Sequence, residues 1–224
     1  MRYLAAAAAI GLLAGVASAA QASDVSAPVV INGQNYNSAP AAHDWTGLYV
    51  GGNIGGVWGK YKDVTAHWPP SNSQNFGDFA SNGYVLNGAL GWNVDRGPLV
   101  MGLEAGATWS NRNISDTVKQ DWTFDLYGRF GIPMAGGKLL PYVKAGPSIT
   151  HVNVKDPTLG FDTWMVGGGV GGGVDYALTE RISLNVDVTA HFYPHGSRDF
   201  GSGVSADWKA DDITAGAGFK VKLW

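Results

Sequence analysis

The segment that most constrains the fold runs from Trp122 to Ile132 and alternates between apolar and polar side chains. Counting from Trp122, every second residue is apolar or glycine, whereas the residues between include Asp125, Tyr127 and Arg129. Side chains alternate across a β-strand with a period of two, so this pattern predicts a strand between two unlike environments. The apolar face either packs on an ordinary protein core or faces lipid around a barrel with a polar interior.

Composition favours an all-β protein. The 224 residues include 33 glycines and nine tryptophans, and only 15% of them are charged. Few charges combined with many aromatic and glycine residues argue against disorder and against a helical bundle, and are typical of sandwiches and barrels. The net charge of −3 provides no basic patch, so no nucleic-acid partner is expected.

The first 22 residues are predicted to be a signal peptide. Arg2 precedes a short apolar run that ends in small residues, with cleavage expected after Ala22 and Ala19 as the alternative site. Residues 23–44, rich in Ala, Pro, Asn and Ser, are predicted to be a flexible periplasmic leader. The chain has no cysteine for disulfides and no later apolar run of about eighteen residues, so a membrane role would require strands.

Eight strands are predicted within the remaining domain, residues 45–224. They are Thr46–Trp58, Tyr84–Val94, Leu99–Ser110, Trp122–Ile132, Lys138–Val152, Trp164–Leu178, Ile182–Tyr193 and Asp212–Trp224.

The connections between these strands alternate strictly between long and short. Long polar loops are predicted at Lys60–Ala80, Asn111–Asp121, Asn153–Asp162 and Pro194–Asp207, and short turns at Asp95–Pro98, Pro133–Gly137 and Thr179–Arg181. Outer-membrane barrels have short periplasmic turns and longer extracellular loops, whereas a soluble sandwich has no reason to sort its loops. The sequence therefore predicts an all-β fold: an eight-stranded antiparallel transmembrane β-barrel with up-and-down meander topology.

Tryptophans near the strand ends, all but the terminal one on the apolar parity, are expected to form an aromatic girdle at the two membrane interfaces. The predicted members are Trp58, Trp109, Trp122 and Trp164 at the outer ends of strands, with Trp92 and Trp224 on the periplasmic side. Trp45 and Trp208 do not fit the parity, and we interpret them as lying outside the regular ladder.

Charged residues on the opposite parity are expected to form a network inside the barrel. The candidates are Glu104, Asp125, Arg129, Lys144, Asp175 and Asp187. Registers estimated from the short turns bring the first four close together across the third to fifth strands. Buried charges need partners, so one interpretation is an ion-pair network that fills the lumen. The other is a narrow polar channel in which Arg129 and Lys144 face acids.

No motif indicates catalysis. Gly167, Gly169 and Gly172 have the GxGxxG spacing, but strand rather than helix is predicted to follow, so we interpret them as inward glycines that make room in the barrel. His67, His151, His191 and His195 are expected near the outer rim, where a metal site or lipid hydrolase is conceivable but has no recognisable residue set. We therefore predict no catalytic residue, no metal and no cofactor.

Four segments carry a resemblance to a known family. DWTGLYVGGNIGGVWG at Asp44–Gly59 resembles the first strand of the small outer-membrane β-barrel proteins of alphaproteobacteria, a surface-antigen or porin-like family with an OmpA-like eight-stranded barrel. LLPYVKAG at Leu139–Gly146, the segment Thr163–Val188 and the ending GFKVKLW agree with it. The ending departs from the family pattern in one respect. Leu223 keeps the apolar parity of the last strand, whereas the aromatic residue, Trp224, lies one residue beyond it.

The resemblance implies an outer-membrane location, outer-membrane lipid, lipopolysaccharide and the barrel-assembly machinery as partners, and no catalytic residues. The favoured hypothesis is a structural or surface-antigen role, with any ligand of the long loops unidentified. A low-conductance porin and, as a third hypothesis, a barrel enzyme acting on envelope lipid are the alternatives.

Overall fold

A computed structural model describes residues 30–31, 34–35, 43–113, 118–154 and 161–224. The predicted signal peptide and most of the predicted leader lie outside these ranges, apart from a two-residue antiparallel pairing of Val30–Ile31 with Gln34–Asn35. The described part of the chain contains no helix long and apolar enough to cross a membrane.

Eight antiparallel strands close into a barrel in which sequence neighbours pair and the last strand pairs with the first. The predicted eight-stranded antiparallel meander is therefore confirmed. The strands are β1 Gly47–Trp68, β2 Asn72–Asp95, β3 Val100–Asn113, β4 Val118–Gly131, β5 Leu139–Val154, β6 Phe161–Ala177, β7 Ile182–Gly201 and β8 Val204–Lys222.

The two faces of the barrel wall differ as the alternation predicts. On β4, Leu126 is 53% exposed on the outside, whereas its neighbour Tyr127 is 3% exposed and points into the barrel. Large apolar side chains such as Ile54 and Val166 are likewise exposed on the outer wall. A continuous apolar exterior around a polar interior is the inverse of a water-soluble protein and is the arrangement of a membrane-spanning barrel.

The predicted loop boundaries were wrong at two long connections, because much of each connection is strand. Lys60–Ala80 continues β1 and β2 around a three-residue turn at 69–71, with Ala66 opposite Gln74. Pro194–Asp207 similarly continues β7 and β8, and Pro194 is accommodated next to a shift in register. Polar residues on both faces erase the alternation that marks a strand, although the backbone pairing continues.

At the other two long connections the strands also run further than predicted, with β3 reaching Asn113 and β4 starting at Val118, and β5 reaching Val154 and β6 starting at Phe161. We call the end of the barrel with the long connections the extended end, and the opposite end, with the short turns, the turn end. The outer parts of β7, β8, β1 and β2 (residues 193–201, 204–210, 59–68 and 72–81) form a four-stranded protruding sheet.

Trp45 and Trp208, the two tryptophans that did not fit the parity, lie inside the barrel, one at each end. We had interpreted both as lying outside the regular ladder, which is wrong for Trp208. Trp208 belongs to the ladder of β8, pairs with Gly196 and is 8% exposed. It packs with Tyr61, Val152, Met165, Tyr193 and Ala210, a group that we call the extended-end plug. Trp45 precedes β1 and packs with Val100, Leu140 and Ala177, which we call the turn-end plug.

We expect the substitution Leu126→Arg to lower the free energy of unfolding in lipid bilayers by about 2–4 kcal/mol, because it places a cation on the lipid-facing wall of mid-β4. Ile132→Arg, on the same face but at the turn end, is the matched control and should cost only about 0–1 kcal/mol. Urea titration of both variants in phosphatidylcholine vesicles measures the difference. Equal costs at the two positions would contradict the assignment of this face to lipid.

Candidate functional site

The lumen holds a cluster of ionised side chains around Glu104, which projects inward from β3 and is 5% exposed. Tyr49 donates its hydroxyl to Glu104 Oε2 at 2.7 Å. Lys220 Nζ lies 3.3 Å from Oε2, and Lys144 Nζ lies 3.4 Å from Oε1. Glu104 therefore links β1, β5 and β8 across the interior of the barrel.

Asp175, projecting from β6, is the second centre of this cluster and is almost completely buried. Arg129 Nη2 donates to its Oδ2 at 2.5 Å and Asn185 Nδ2 donates to its Oδ1 at 2.6 Å. Lys220 Nζ lies 3.3 Å from both carboxylate oxygens. Charge-assisted hydrogen bonds of this length are the strong class of protein hydrogen bonds.

Asp187 completes the cluster from β7. Lys144 Nζ lies 2.5 Å from Asp187 Oδ2, and Tyr142 donates its hydroxyl to the same oxygen at 3.1 Å. The Arg129 guanidinium also lies over the Tyr142 ring, 3.6 Å from its centroid.

We call these six groups the main charge cluster: the acids Glu104, Asp175 and Asp187, and the bases Arg129, Lys144 and Lys220. Its formal charges cancel, which is the condition under which buried ions are tolerated. Each base touches an acid carried by a different strand.

A second charge cluster lies closer to the extended end and is built on His191 and Asp212. His191 Nδ1 lies 2.8 Å from Asp212 Oδ1, and Arg112 Nη1 donates to Asp212 Oδ2 at 2.9 Å. On the other side of the imidazole, Nε2 lies 3.0 Å from the Tyr127 hydroxyl and 3.5 Å from Asp125 Oδ1.

The structure thus brings five of the six predicted lumen residues together and places the sixth elsewhere. Asp125 contacts Tyr127 and His191 in the second charge cluster, whereas Arg129 pairs with Asp175. Sequence reasoning missed Lys220 and Asp212, although both share the inward parity of β8. It also missed Arg112, which lies in a segment predicted to be a loop.

The space left between the two clusters is small. A cavity of about 40 Å³ is lined by residues of both, including Glu104, Lys144, Asp187, Asp125 and His191. Since a single water requires roughly 10–15 Å³ by this measure, the cavity holds a few waters at most and no hydrated solute. Together with the plugs at both ends, the charge clusters fill the lumen.

The predicted rim histidines do not converge on one site. His191 lies inside the barrel, which corrects its predicted rim position, whereas His195 is exposed. His151 Nδ1 pairs with Asp121 at 2.8 Å, and His67 Nε2 pairs with Asp207 at 3.3 Å. Among the described residues, no group of three or more His, Cys, Asp or Glu side chains is arranged to hold a metal ion.

Inward glycines of β6 face large side chains carried by the nearby strands β4, β5 and β7. A methyl group added at Gly169 would collide with the Tyr127 hydroxyl, and one added at Gly173 would lie 2.6 Å from the Tyr142 hydroxyl. Gly167 faces the Tyr193 ring at 2.7 Å. The GxGxxG spacing therefore falls within a strand, and its inward members leave room for the tyrosines that serve both charge clusters.

The six predicted girdle tryptophans are all exposed: Trp58, Trp92, Trp109, Trp122 and Trp164 on the outer wall, and Trp224 beyond the end of β8. Trp109 and Trp122 are directly opposite each other on β3 and β4. Trp122 stacks on Phe124 with ring centroids 6.1 Å apart, and Phe124 lies 6.0 Å from Trp164. Toward the extended end the rings of Trp122, Phe124 and Trp164 form an aromatic band on the outer wall, and Trp109 lies beside it on β3.

The turn end is held by the residues before β1. Trp45 Nε1 donates to the Gly137 carbonyl at 2.8 Å, and Lys222 Nζ donates to the Asp44 carbonyl at 2.6 Å. Partial burial, followed by the nearby Lys222 ammonium, lowers the pKa of His43 below its ordinary value. These contacts fix the turn-end plug in the mouth of the barrel.

We expect Lys220→Met to lower the free energy of unfolding by about 3–5 kcal/mol, because it leaves Glu104 and Asp175 with too few counter-charges in a buried site. Lys209→Met, which removes an exposed lysine of the same strand, should change it by less than about 0.5 kcal/mol. Urea unfolding followed by tryptophan fluorescence makes the comparison. If both variants were equally stable, the main charge cluster would not contribute to the fold.

The glycine positions on β6 supply a second test. Gly169→Ala should destabilise the barrel by about 1–3 kcal/mol through overpacking against Tyr127. At the adjacent Gly168 the nearest atom to an added methyl group is the Gly146 carbonyl oxygen at 3.4 Å, so Gly168→Ala should be nearly neutral. If thermal unfolding showed Gly168→Ala to be the less stable variant, our assignment of Gly169 to the inner face and Gly168 to the outer face would be wrong.

A closed, lipid-facing barrel with a compensated ionic interior defines an integral membrane protein of the β-barrel class. A family model described as an outer membrane protein beta-barrel domain matches residues 5–220. The chain belongs to this family of outer-membrane β-barrel proteins, and its predicted outer-membrane location is confirmed.

Relatives and solved structures of the same kind are similar to the chain over most of its length. A 22 kDa outer membrane protein of Rhizobium leguminosarum bv. viciae is 30% identical over 187 residues, covering 80% of this chain and 79% of the relative. A 25 kDa outer-membrane immunogenic protein of Brucella canis is 27% identical over 182 residues, covering 80% of each chain. The structure of Neisserial surface protein A is 15% identical with a TM-score of 0.43, covering 80% of this chain and 98% of that one.

Proposed function

We propose that this chain is a non-conducting outer-membrane barrel with a structural and surface-antigen role, whose protruding sheet stands on the cell surface. The observation that carries the proposal is the filled lumen. Two apolar plugs close its ends, and between them the three acids and three bases of the main charge cluster bond to one another. The barrel then acts as a membrane anchor, and its extended end is the part exposed to the surroundings of the cell.

The length of the strands supports placing the extended end outside the cell. A tilted strand needs roughly 9–11 residues to cross the membrane, whereas β1 has 22. The ten residues that follow Trp58, 59–68, add a rise of about 33 Å along the strand beyond the girdle. Barrels of this class carry their longer connections on the extracellular side, so the protruding sheet is assigned to that side.

The description of the Brucella relatives supports the surface-antigen part of the proposal. Those proteins are described as outer-membrane immunogenic proteins. The protruding sheet would supply surface that is accessible from outside the cell. Outer-membrane lipid and lipopolysaccharide would contact the apolar wall, and insertion would use the barrel-assembly machinery.

The polar lumen is the feature that favours the alternative of a low-conductance porin. Arg129 and Lys144 face acids across the barrel, as a selective constriction would require. Both cations, however, are 2.5 Å from an acid oxygen, and the tyrosines stacked on them occupy the remaining width. Opening a path would require breaking the cluster, so the closed barrel is the better supported function.

The proposal assigns no enzymatic step to the chain. His191, which would be the candidate base, is buried between Asp212 and Asp125 and lines the lumen cavity of about 40 Å³, which is too small for a lipid substrate. Lipid A recovered unmodified from cells that overproduce the protein is the expected result. Deacylated or otherwise altered lipid A that depends on His191 would instead support the enzyme hypothesis.

Solute uptake by liposomes tests the closed lumen. Vesicles containing the refolded protein should swell no faster in isotonic glycine than protein-free vesicles. The triple variant Trp45→Ala, Tyr193→Ala, Trp208→Ala removes both plugs and should swell measurably faster if it folds, as checked by its heat-modifiable migration on gels. Rapid swelling with the unaltered protein would support the porin alternative.

Cysteine labelling tests the orientation, since the natural chain has no cysteine. Ser71→Cys lies at the tip of the protruding sheet and Arg96→Cys lies in the first short turn. On intact cells, a membrane-impermeant maleimide should label the first and spare the second, while both should react after lysis. If only the Arg96→Cys variant were labelled on intact cells, the orientation would be the reverse of the one proposed.

A further inference from the structure

The second charge cluster balances its charges only if its histidine is protonated. Asp125 and Asp212 contribute two negative charges, and Arg112 contributes one positive charge. The main charge cluster is neutral by itself and provides no spare cation. Among the described side chains between the two plugs, the remaining base is His191, which is 5% exposed. Because an uncompensated charge is strongly unfavourable in a buried site, the cluster requires one proton.

The contacts of the imidazole show where this proton fits. Nδ1 of His191 lies 2.8 Å from Asp212 Oδ1, and Arg112 donates to the other oxygen of that carboxylate. On the opposite side of the ring, Nε2 lies 3.0 Å from the Tyr127 hydroxyl, which donates its single proton to Asp125 Oδ1. The hydroxyl oxygen can then accept a hydrogen bond from Nε2, and Asp212 can accept one from Nδ1. A doubly protonated ring therefore satisfies the partners on both of its sides.

A proton on Asp125 is the alternative that also neutralises the cluster. The ring would then be neutral, with Nδ1 donating to Asp212 and Nε2 accepting from Tyr127. Imidazole ordinarily binds a proton more strongly than a carboxylate does, with pKa values of about 6.5 and about 3.9. In addition, Nε2 lies 3.5 Å from Asp125 Oδ1, so a charged ring forms an ion pair on each side. We therefore assign the proton to His191.

Charged side chains beyond the cluster leave this balance unchanged. Three members of the main charge cluster face the imidazole across the cavity of about 40 Å³: Glu104, Asp187 and Lys144. Lys144 Nζ lies 3.4 Å from Glu104 Oε1 and 2.5 Å from Asp187 Oδ2, so its charge is already compensated there. On β6, the residue opposite His191 is Gly169, which has no side chain. No other described side chain between the plugs therefore supplies the missing positive charge.

The second charge cluster also contacts the extended-end plug at two points. The His191 ring stacks on the Tyr193 ring, with centroids 6.3 Å apart. The Arg112 guanidinium lies over the Tyr61 ring, 5.5 Å from its centroid. Asp212 bonds to both His191 and Arg112, so one carboxylate connects the two contacts. Loss of the ring proton would weaken these bonds directly beneath the plug.

We propose that the second charge cluster is a proton-binding site and that the proton it holds on His191 keeps the extended half of the lumen closed. The site takes up one proton as the barrel closes, because histidine in an unfolded chain is neutral above about pH 6.5. The folded state then binds more protons than the unfolded state, so its stability falls as the pH rises. Acidic surroundings strengthen the closed lumen, and alkaline surroundings weaken it. This inference goes beyond the proposed function, since the site would bind its proton in either orientation of the barrel.

Nitrogen-15 NMR of the full-length protein in phosphatidylcholine nanodiscs tests where the proton lies. At about pH 8, above the ordinary histidine pKa of about 6.5, the two ring nitrogens of His191 should have the closely spaced shifts of an imidazolium. Unfolding in urea at the same pH should convert them to the widely spaced shifts of a neutral ring. The His191→Gln, Asp125→Asn double variant, which lacks this ring, assigns the signals. Widely spaced shifts in the folded protein would overturn the assignment to His191.

The pH dependence of unfolding tests the uptake of the proton. Between about pH 7 and pH 9, the folding equilibrium constant of the unaltered protein should fall about tenfold more per pH unit than that of the double variant His191→Gln, Asp125→Asn. The double variant balances its charges without a proton, so it lacks this contribution. His195→Gln removes an exposed histidine of the same strand and should keep the slope of the unaltered protein. Equal slopes for the unaltered protein and the double variant would overturn the proposal.

The same variants test the charge balance itself. At about pH 7, His191→Gln should lower the folding equilibrium constant at least about a hundredfold, because two buried acids are left with Arg112 alone. Adding Asp125→Asn removes one acid and should recover at least about tenfold. If the single variant does not fold, the double variant should still fold. A double variant that is no more stable than the single one, or that also fails to fold, would contradict the requirement for one compensating proton.

These outcomes are independent of those that test the proposed function. Liposome swelling reports on conduction and Ser71→Cys labelling reports on orientation, whereas the ring shifts and the unfolding slope report only on the proton. A neutral His191 ring combined with the steeper slope would overturn the assignment and place the proton on an acid of the cluster.

Discussion

The structure depends on mutual neutralisation of charges inside a barrel whose outside is apolar. Glu104, Asp175 and Asp187 would each be strongly unfavourable in this interior without a counter-charge. Arg129, Lys144 and Lys220 supply those charges from β4, β5 and β8, so cross-lumen contacts connect strands that are not neighbours in the wall. The buried ions therefore meet their counter-charges only when the barrel is closed.

This arrangement explains the role of the last strand. Lys220 and Asp212 both project inward from β8 and reach acids and bases of β6, β3 and β7. A slip of β8 by one residue would turn both toward lipid and turn Phe219 and Val221 into the lumen. The ionic interior thus specifies the register in which β8 meets β1, a function for which buried polar groups are well suited.

The same interior determines what the protein can do. Tyrosines 49, 127 and 142 fill the width between the wall and the cations, opposite glycines that leave space for them. The resulting barrel has little internal volume, and much of the length of its longest strands lies in the protruding sheet. The surface available for function is accordingly on the outside of the barrel, in the protruding sheet.

The sequence predicted the wall of this barrel well and its ends poorly. Period-two alternation marks a strand wherever lipid and lumen lie on opposite sides, which is why Trp122–Ile132 and its equivalents were placed correctly. Beyond the membrane both faces meet water, the alternation disappears, and Lys60–Ala80 resembled a loop. The lumen was predicted in part, because parity identifies inward residues but not partners: Asp125 was grouped with Arg129, whereas the register brings it to His191.

Single-channel recording tests the central claim, that a compensated ion cluster closes the lumen. Protein refolded into planar bilayers should show no discrete openings at 100 mV in potassium chloride, an applied voltage that corresponds to about 2.3 kcal/mol per elementary charge moved across the membrane. The double variant Glu104→Gln, Lys220→Met removes one cation and one acid and should remain closed. Reproducible openings of the unaltered protein, with a conductance that changes in the double variant, would contradict the account and identify the cluster as the lining of a channel.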